Sequence, residues 1–399
     1  MEGFFYFYHM SQLNYILYDG PTRDNLLPLT FTRPMAELRL GILTIREKWE
    51  RYLQTAISTQ TEAYLQKKYP LVLAVNNVWI NASCLPNKEL VEAVLRLKQD
   101  QVLKSKDDII AYKSVEQNIP PHEVMHDRPA IFIKNSFDLF HLNEEALKDD
   151  FNLITYGRTS EALPACVKTT TPENIFVEPG AKLGHVILNA SSGPIYIGAA
   201  AEVMDGAMVR GGLALCRGSV LKMGAKIYGA TTIGPYCKVG GEVNNAVFFG
   251  FSNKGHDGFV GHSVIGEWCN LGADTNTSNL KNNYEQVRLW HYGSQNFAKT
   301  GLQFCGLIMG DHSKSGINSM FNTGTVIGVS ANIYGSGFPR NFIPSYSWGG
   351  HSGFQVYLFS KAIAVARAVM LRRGKTLDKL DEDILKHIFE LTTNFRSSY

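Results

Sequence analysis

No apolar run in this chain reaches the roughly 18 residues that a membrane-crossing helix needs, so no membrane span is expected. A dominant charge is also missing. Thirty-nine Lys and Arg stand against 36 Asp and Glu, a net charge of +3, which offers no clustered basic footprint and no case for a nucleic-acid partner. The six cysteines (Cys84, Cys166, Cys216, Cys237, Cys269 and Cys305) lack any CxxC pair or metal-ligand spacing, and they read as reduced thiols of a cytoplasmic protein. The aromatic opening MEGFFYFYHMSQLNYILYDG lacks a basic stretch and a small-residue cleavage site, so it does not read as a secretion signal. Residues 1–9 read as an extension ahead of a start at Met10. Low hydrophobicity is absent too: 45% of the 399 residues are hydrophobic and 19% charged, enough to bury a large core.

What is present falls into three regions. Over residues 13–165, apolar strand-like runs (LNYILYDG, YPLVLAVNNVWI, and the start of RPAIFIKNSFDLFHLNEEALKDD) alternate with amphipathic helical stretches (LGILTIREKWERYL, NKELVEAVLRLKQD). That alternation predicts an α/β domain around a mainly parallel, Rossmann-type sheet. Residues 172–350 repeat with period six. Ile197, Val203, Val209, Leu215, Leu221, Ile227, Ile233 and Val239 are aliphatic without a miss, and a mostly small residue follows each by four. Helices do not repeat at six, whereas a short strand and a tight corner do, so this region predicts a parallel β-helix of hexapeptide rungs. Residues 353–399 return to helical patterning and predict helices that cap the coil or pack on a neighbour. The six-residue register slips on both sides of residues 253–279, and residues 276–301 read as a loop thrown out of the coil. In a stacked array, function gathers where insertions leave the scaffold.

The slipped stretch carries a specific resemblance. Glu242-Val243-Asn244-Asn245, Lys254-Gly255-His256, Ile265-Gly266, Asn270-Leu271-Gly272-Ala273 and Asn279 are similar, in order and spacing, to the acetyltransferase half of the bifunctional N-acetylglucosamine-1-phosphate uridyltransferase / glucosamine-1-phosphate acetyltransferase family, whose β-helix is left-handed. The resemblance implies acetyl-CoA as co-substrate and an amino-sugar phosphate as acceptor. His256 would be the general base that frees the amine from its ammonium, a task suited to an imidazole at neutral pH. Either Asp257 or a backbone carbonyl would orient its ring. Asn270 and Asn279 would hold the sugar phosphate or acyl group, and Ala273 would lie against the coenzyme A arm. Asn244 stands where the family has Lys and Phe259 where it has Tyr, both substrate contacts, so Lys254, Lys281 or Arg288 would supply the missing charge. Arg372 and Arg373, with Lys375, would meet the coenzyme A phosphates, although a basic cluster at a helix C-terminus also suits the helix dipole alone. The family implies a homotrimer with active sites between subunits. His262, Trp290 and His291 read as structural or as trimer contacts.

The front region resembles the family's shortened sugar nucleotidyltransferase-like domain. Gly20, Thr22 and Arg23 follow the first strand where a phosphate loop is expected, and Arg33-Pro34 lies nearby. The second glycine of that loop is missing, Pro21 removes a backbone donor, and VWINASCLPN offers no carboxylate where a metal-binding Asp is expected. Mg2+ would be required if this domain turns over nucleoside triphosphate. Asp19 and Asp138 are the candidate acids, and the metal ligands stay unassigned. The leading expectation is an acetyl-CoA-dependent N-acetyltransferase joined to a sugar-1-phosphate nucleotidyltransferase that supplies nucleotide sugars such as UDP-N-acetylglucosamine. Two alternatives stay open: a monofunctional acyltransferase with a degenerate front domain, and a non-catalytic sugar-nucleotide-binding regulatory protein.

Overall fold

A computed structural model describes residues 13–396, so the reading of residues 1–9 lies outside the described residues. The front sheet holds six strands. Asn14–Tyr18 lies parallel to both Ser58–Gln60 and Asn77–Asn81. Asp108–Lys113 then runs antiparallel to Asn77–Asn81 and to Gln101–Ser105, so the sheet is mixed. The reversal has a local cause. Only Lys106 and Asp107 join Gln101–Ser105 to Asp108–Lys113, and Lys106 takes a φ of 54°, the left-handed turn geometry that closes a hairpin. Helices form at Ile45–Leu53 and Lys88–Leu95, within the two stretches predicted to be helical. Thr44 and Glu47 close a reciprocal capping box on the first, and Asn87 caps the second. Most of YPLVLAV is not strand: Val72, Leu73 and Val75 are exposed, and the strand begins at Asn77.

The second region is a three-faced parallel β-helix. Ile197 pairs with Leu215 and Leu215 with Ile233, so each full coil takes eighteen residues, three sixes, one per face. Face one carries Met208–Arg210 and Lys226–Tyr228, face two Leu213–Leu215 and Thr231–Ile233, and face three Val220–Leu221 and Lys238–Val239. The predicted aliphatic positions all point inward and stack on one another, with Ile197, Leu215, Leu221, Ile233 and Val239 fully buried. Each contributes about 1.5–3 kcal/mol by leaving water.

The slips have two different causes. Val239 pairs with Lys254, fifteen residues on, and Phe248 with Ile265, seventeen residues on, so these coils are shortened at their corners. Val264 pairs with Ile308, and that coil carries the insertion. The inserted residues are not a simple loop. Arg288–His291 and Asn296–Lys299 form an antiparallel hairpin. It packs inward: Trp290 stacks on Phe342 at 4.1 Å, and His291 Nε2 meets Asn25 Oδ1 at 2.9 Å.

Face two is buried against the front domain. Its outward residues Ala214, Val247, Val264 and Ile308 are fully covered, in clusters shared with front-domain side chains, and the buried Thr232 donates from Oγ1 to Gly41 O. The end of the chain differs from its helical reading at one point. Gly353–Val356 is a strand antiparallel to Ser347–Gly350, and helices follow at Phe359–Leu371 and Lys379–Leu391. Among the described residues no helix is long and apolar enough to cross a membrane. All six cysteines are free thiols.

Candidate functional site

On face three the residue before each inward position points outward. Lys238, Asn253, Asn270 and Lys314 therefore align in register, one per coil. They form the floor of a cleft of about 920 Å³. The C-terminal turn of helix Phe359–Leu371 and the two residues after it make one wall, with Val369, Arg372 and Arg373. The corner leading to face one makes the other, with Gly255 and His256. Gly272 and Ala273 line the same cleft.

Five residues expected to act together from sequence, namely His256, Asn270, Ala273, Arg372 and Arg373, thus converge although up to 117 positions separate them. Lys222, Lys238 and Lys314 also line the cleft, whereas among the described residues no carboxylate does. The sequence reading missed these lysines. The signal was available, since any residue preceding an inward position on face three must face outward. His256 is exposed to the cleft. Neither Asp257 nor a backbone carbonyl holds its ring among the described residues. Arg373 is anchored, donating from Nη2 to Asn253 Oδ1 at 2.8 Å, while Arg372 is exposed. Five cations and a slot beside an imidazole suit a phosphate-bearing coenzyme with an apolar arm.

Lys254 is not where its expected role requires. It occupies an inward position, stacked between Val239 and Leu271, and is 1% exposed. Its ammonium cannot reach a substrate phosphate. Instead Nζ donates to the carbonyl oxygens of His256 at 2.5 Å and Asp257 at 2.9 Å, so a charge inside the coil ties down the corner that presents His256. Burial pushes its pKa down to about 8. The unfolded chain keeps that proton up to the ordinary lysine value. Between about pH 8 and pH 10.4 the unfolded state therefore binds more protons, and stability rises with pH. Urea midpoints measured across that window should climb, and Lys254→Met should abolish the extra slope; parallel profiles for the two proteins would contradict this account.

The remaining expected substrate contacts lie elsewhere. Asn244 and Phe259 point outward from face one, in strands Glu242–Phe248 and Phe259–Ile265. Asn279 Nδ2 stands 2.9 Å from His262 Nδ1, and Asn245 Nδ2 stands 3.2 Å from His262 Nε2. Asn279 is thus occupied by His262 at the corner between faces one and two. His262 also stacks on Phe304 at 5.1 Å, and burial lowers its pKa to about 4, so it is neutral in the pH range where an imidazole base works and serves packing. Lys281 and Arg288 line a separate cavity that shares no residue with the cleft.

In the front domain the expected nucleotide-binding residues are consumed by the fold. Arg23 is buried. Its Nε pairs with Asp19 at 3.2 Å, and its Nη2 donates to Thr30 O at 2.6 Å and Tyr64 Oη at 3.1 Å. Thr22 Oγ1 is buried without a hydrogen-bond partner among the described residues. Gly20 lies so close to Asn81 that a Cβ there would stand 2.9 Å from its Oδ1. Arg33 is buried at the domain joint, paired with Asp311 and with Glu267 at 3.4 Å. These side chains hold the front domain together and onto the β-helix, which is why they do not point at an open phosphate site.

The candidate acids do not fit Mg2+. Asp19 accepts from Met35 N at 2.8 Å, Thr61 Oγ1 at 2.6 Å and Arg23, and Asp138 Oδ2 accepts from the backbone of Lys134 and Asn135 at 2.8 Å each. Among the described residues no group of three or more His, Cys, Asp or Glu is arranged to hold a metal ion.

Residues 15–159 match the family described as sugar nucleotidyl transferase. The bifunctional sugar-1-phosphate nucleotidylyltransferase/acetyltransferase of Sulfurisphaera tokodaii is 34% identical over 93 residues, 23% of each chain. The bifunctional protein GlmU of Synechococcus elongatus is 23% identical over 228 residues, 51% of this chain and 46% of that protein. That of Methanocaldococcus jannaschii is 32% identical over 87 residues, 22% of this chain and 21% of the other. The chain spans less than half the length of these curated relatives. A solved structure, the polySia specific acetyltransferase NeuO, overlaps 51% of this chain and 97% of its own at 13% identity and a TM-score of 0.29, too loosely to argue from. The front sheet thus matches sugar nucleotidyl transferases, and parts of the chain are similar, at low identity, to parts of bifunctional GlmU proteins.

Proposed function

We propose that the protein is an acetyl-CoA-dependent N-acyltransferase whose acceptor is an amino-sugar phosphate. The observation that supports this reading is the cleft, where His256 and Asn270 face five cations and no carboxylate. His256 takes a proton from the acceptor's ammonium, which frees the lone pair. The amine then attacks the thioester carbonyl, so a C–N bond forms and the C–S bond breaks; the nitrogen releases its second proton to solvent water, and the imidazolium returns the first to the leaving thiolate. Asn270 positions the acyl or sugar group. Arg372 and Arg373 hold phosphates, with Lys238 and Lys314 adding charge along the floor, and Ala273 leaves room for the coenzyme arm. The homotrimer implied by the resemblance would set a neighbour against the open face one, where Asn244 and Phe259 stand.

In this reading the front domain is a scaffold, because Gly20, Thr22, Arg23 and Arg33 are already engaged or enclosed. One observation favours turnover there instead: the sugar nucleotidyl transferase match over residues 15–159. Two assays decide. Amino-sugar phosphates are offered with acetyl-CoA and free thiol is followed; release with at least one of them is expected, and silence across the whole series would end the acyltransferase reading. Sugar phosphates with UTP and Mg2+ are followed for pyrophosphate, which the scaffold reading predicts will not form.

A further inference from the structure

The inserted hairpin builds a cavity of about 770 Å³ against the last coils and the C-terminal segment. Lys281, Arg288 and Arg340 line it, and among the described residues no carboxylate does. In a chain whose net charge is only +3, three cations around one open cavity are a local excess that suits an anion. Two of them are weakly engaged. Lys281 Nζ lies 3.4 Å from Gln286 O and 3.9 Å from Glu285 Oε2, and the exposed Arg288 guanidinium has no ion pair among the described residues. Four aromatic side chains, Trp290, Phe297, Phe342 and Phe395, share the wall with small and amide side chains. Trp290 stacks on Phe342 at 4.1 Å with the rings 10° apart, and Phe297 stands edge-on to Trp290 at 5.5 Å.

Arginine and lysine recognise phosphate oxygens, and flat rings recognise a planar base. The volume lies inside the range of about 300–1,000 Å³ usual for small-ligand sites. We propose that this cavity is a second ligand site, separate from the His256 cleft, and that it takes a nucleoside phosphate. The proposal does not depend on whether His256 transfers an acyl group. A ligand here would also be felt at the domain joint. The next residues of the hairpin reach the front domain, through His291 to Asn25 at 2.9 Å and Tyr292 edge-on to Phe31 at 5.3 Å.

The test is a calorimetric titration of the full chain with UMP, AMP, coenzyme A and inorganic pyrophosphate, alongside Trp fluorescence. At least one nucleotide should bind more tightly than pyrophosphate and alter the fluorescence. Arg288→Ala and Lys281→Ala, both at exposed or partly exposed side chains, should each weaken that binding by about tenfold. Arg372→Ala with Arg373→Ala, in the other cleft, should leave UMP and AMP binding unchanged while weakening that of coenzyme A. Three results would overturn the proposal: no nucleotide binding, binding indifferent to Arg288 and Lys281, or pyrophosphate binding as tightly as any nucleotide.

Discussion

His256→Ala should lower acyl transfer by about 10²–10⁴ in kcat while the Michaelis constants for acetyl-CoA and acceptor change far less. The asymmetry follows from position. The floor and far wall of the cleft, Asn270 and the cations at 238, 314, 372 and 373, do not depend on the imidazole, so binding survives while the proton has nowhere to go. A merely structural role for the ring would give a different pattern. His256 is exposed and its ring holds nothing in place, so a structural loss should be small and should appear in stability rather than kcat. His256→Gln keeps a polar group of similar reach without a base of useful pKa, and it should lose as much as the alanine. A kcat within about twofold of wild type for either variant would remove the mechanism. Arg372→Ala should separate from both by raising the Michaelis constant for acetyl-CoA with kcat largely kept.

How much of this was legible in the sequence depends on how local each cause is. A rung of the β-helix is specified within six residues, so the inward positions from Ile197 to Val239 could be read directly and all of them are buried inside the coil. The His256 cleft was legible in part, because His256, Asn270 and Ala273 lie in one short motif. Its lysines required knowing which residues face outward on face three. Lys254 was misassigned because the register slip ahead of it hid which residues face inward. The coil there takes fifteen residues where eighteen are usual, and the shortening turns a lysine inward. Asn279 was placed with His256 by sequence order, but order along a coil does not say which corner a residue occupies, and its partner is His262. One corner was invisible altogether. Tyr236, Phe251, Trp268 and His312 all adopt φ near +60° and stack in a ladder, with Phe251 and Trp268 4.2 Å apart. Bulky residues rarely accept that conformation, at about 1–3 kcal/mol each, and stacking between coils offsets it only once the coils exist. In the front domain, Arg23 and Asp19 looked like phosphate and metal ligands because their partners, Thr61 and Tyr64, lie some forty residues on.

Asp150→Ala should cost about 3–5 kcal/mol, the largest stability loss expected from any single change in the front domain. Asp150 is fully enclosed on helix Asn143–Thr155. Its Oδ2 accepts from the Lys48 ammonium and from the backbone of Ile42 at 2.7 Å and Leu43 at 3.0 Å. Removing it strands a buried cation and two buried N–H groups together, and each alone is costly. The site is also the clasp between domains. Gly41 N donates to Asn143 Oδ1 at 2.6 Å, Gly41 O accepts from Thr232 Oγ1 on face two at 2.7 Å, and Cys216 Sγ lies 3.6 Å from Ile42 O. Gly41 has φ +67°, and a Cβ there would stand 2.5 Å from the Asp150 carboxylate, so the loop has no alternative seat. Two readouts separate the charge from the clasp. Lys48→Met added to Asp150→Ala removes the stranded cation and should recover a large part of the loss. The amides of Ile42 and Leu43 should still exchange with solvent faster in both variants, since their acceptor is gone. An unfolding midpoint for Asp150→Ala equal to the parent's would mean that the front domain docks on the β-helix through its apolar surface alone.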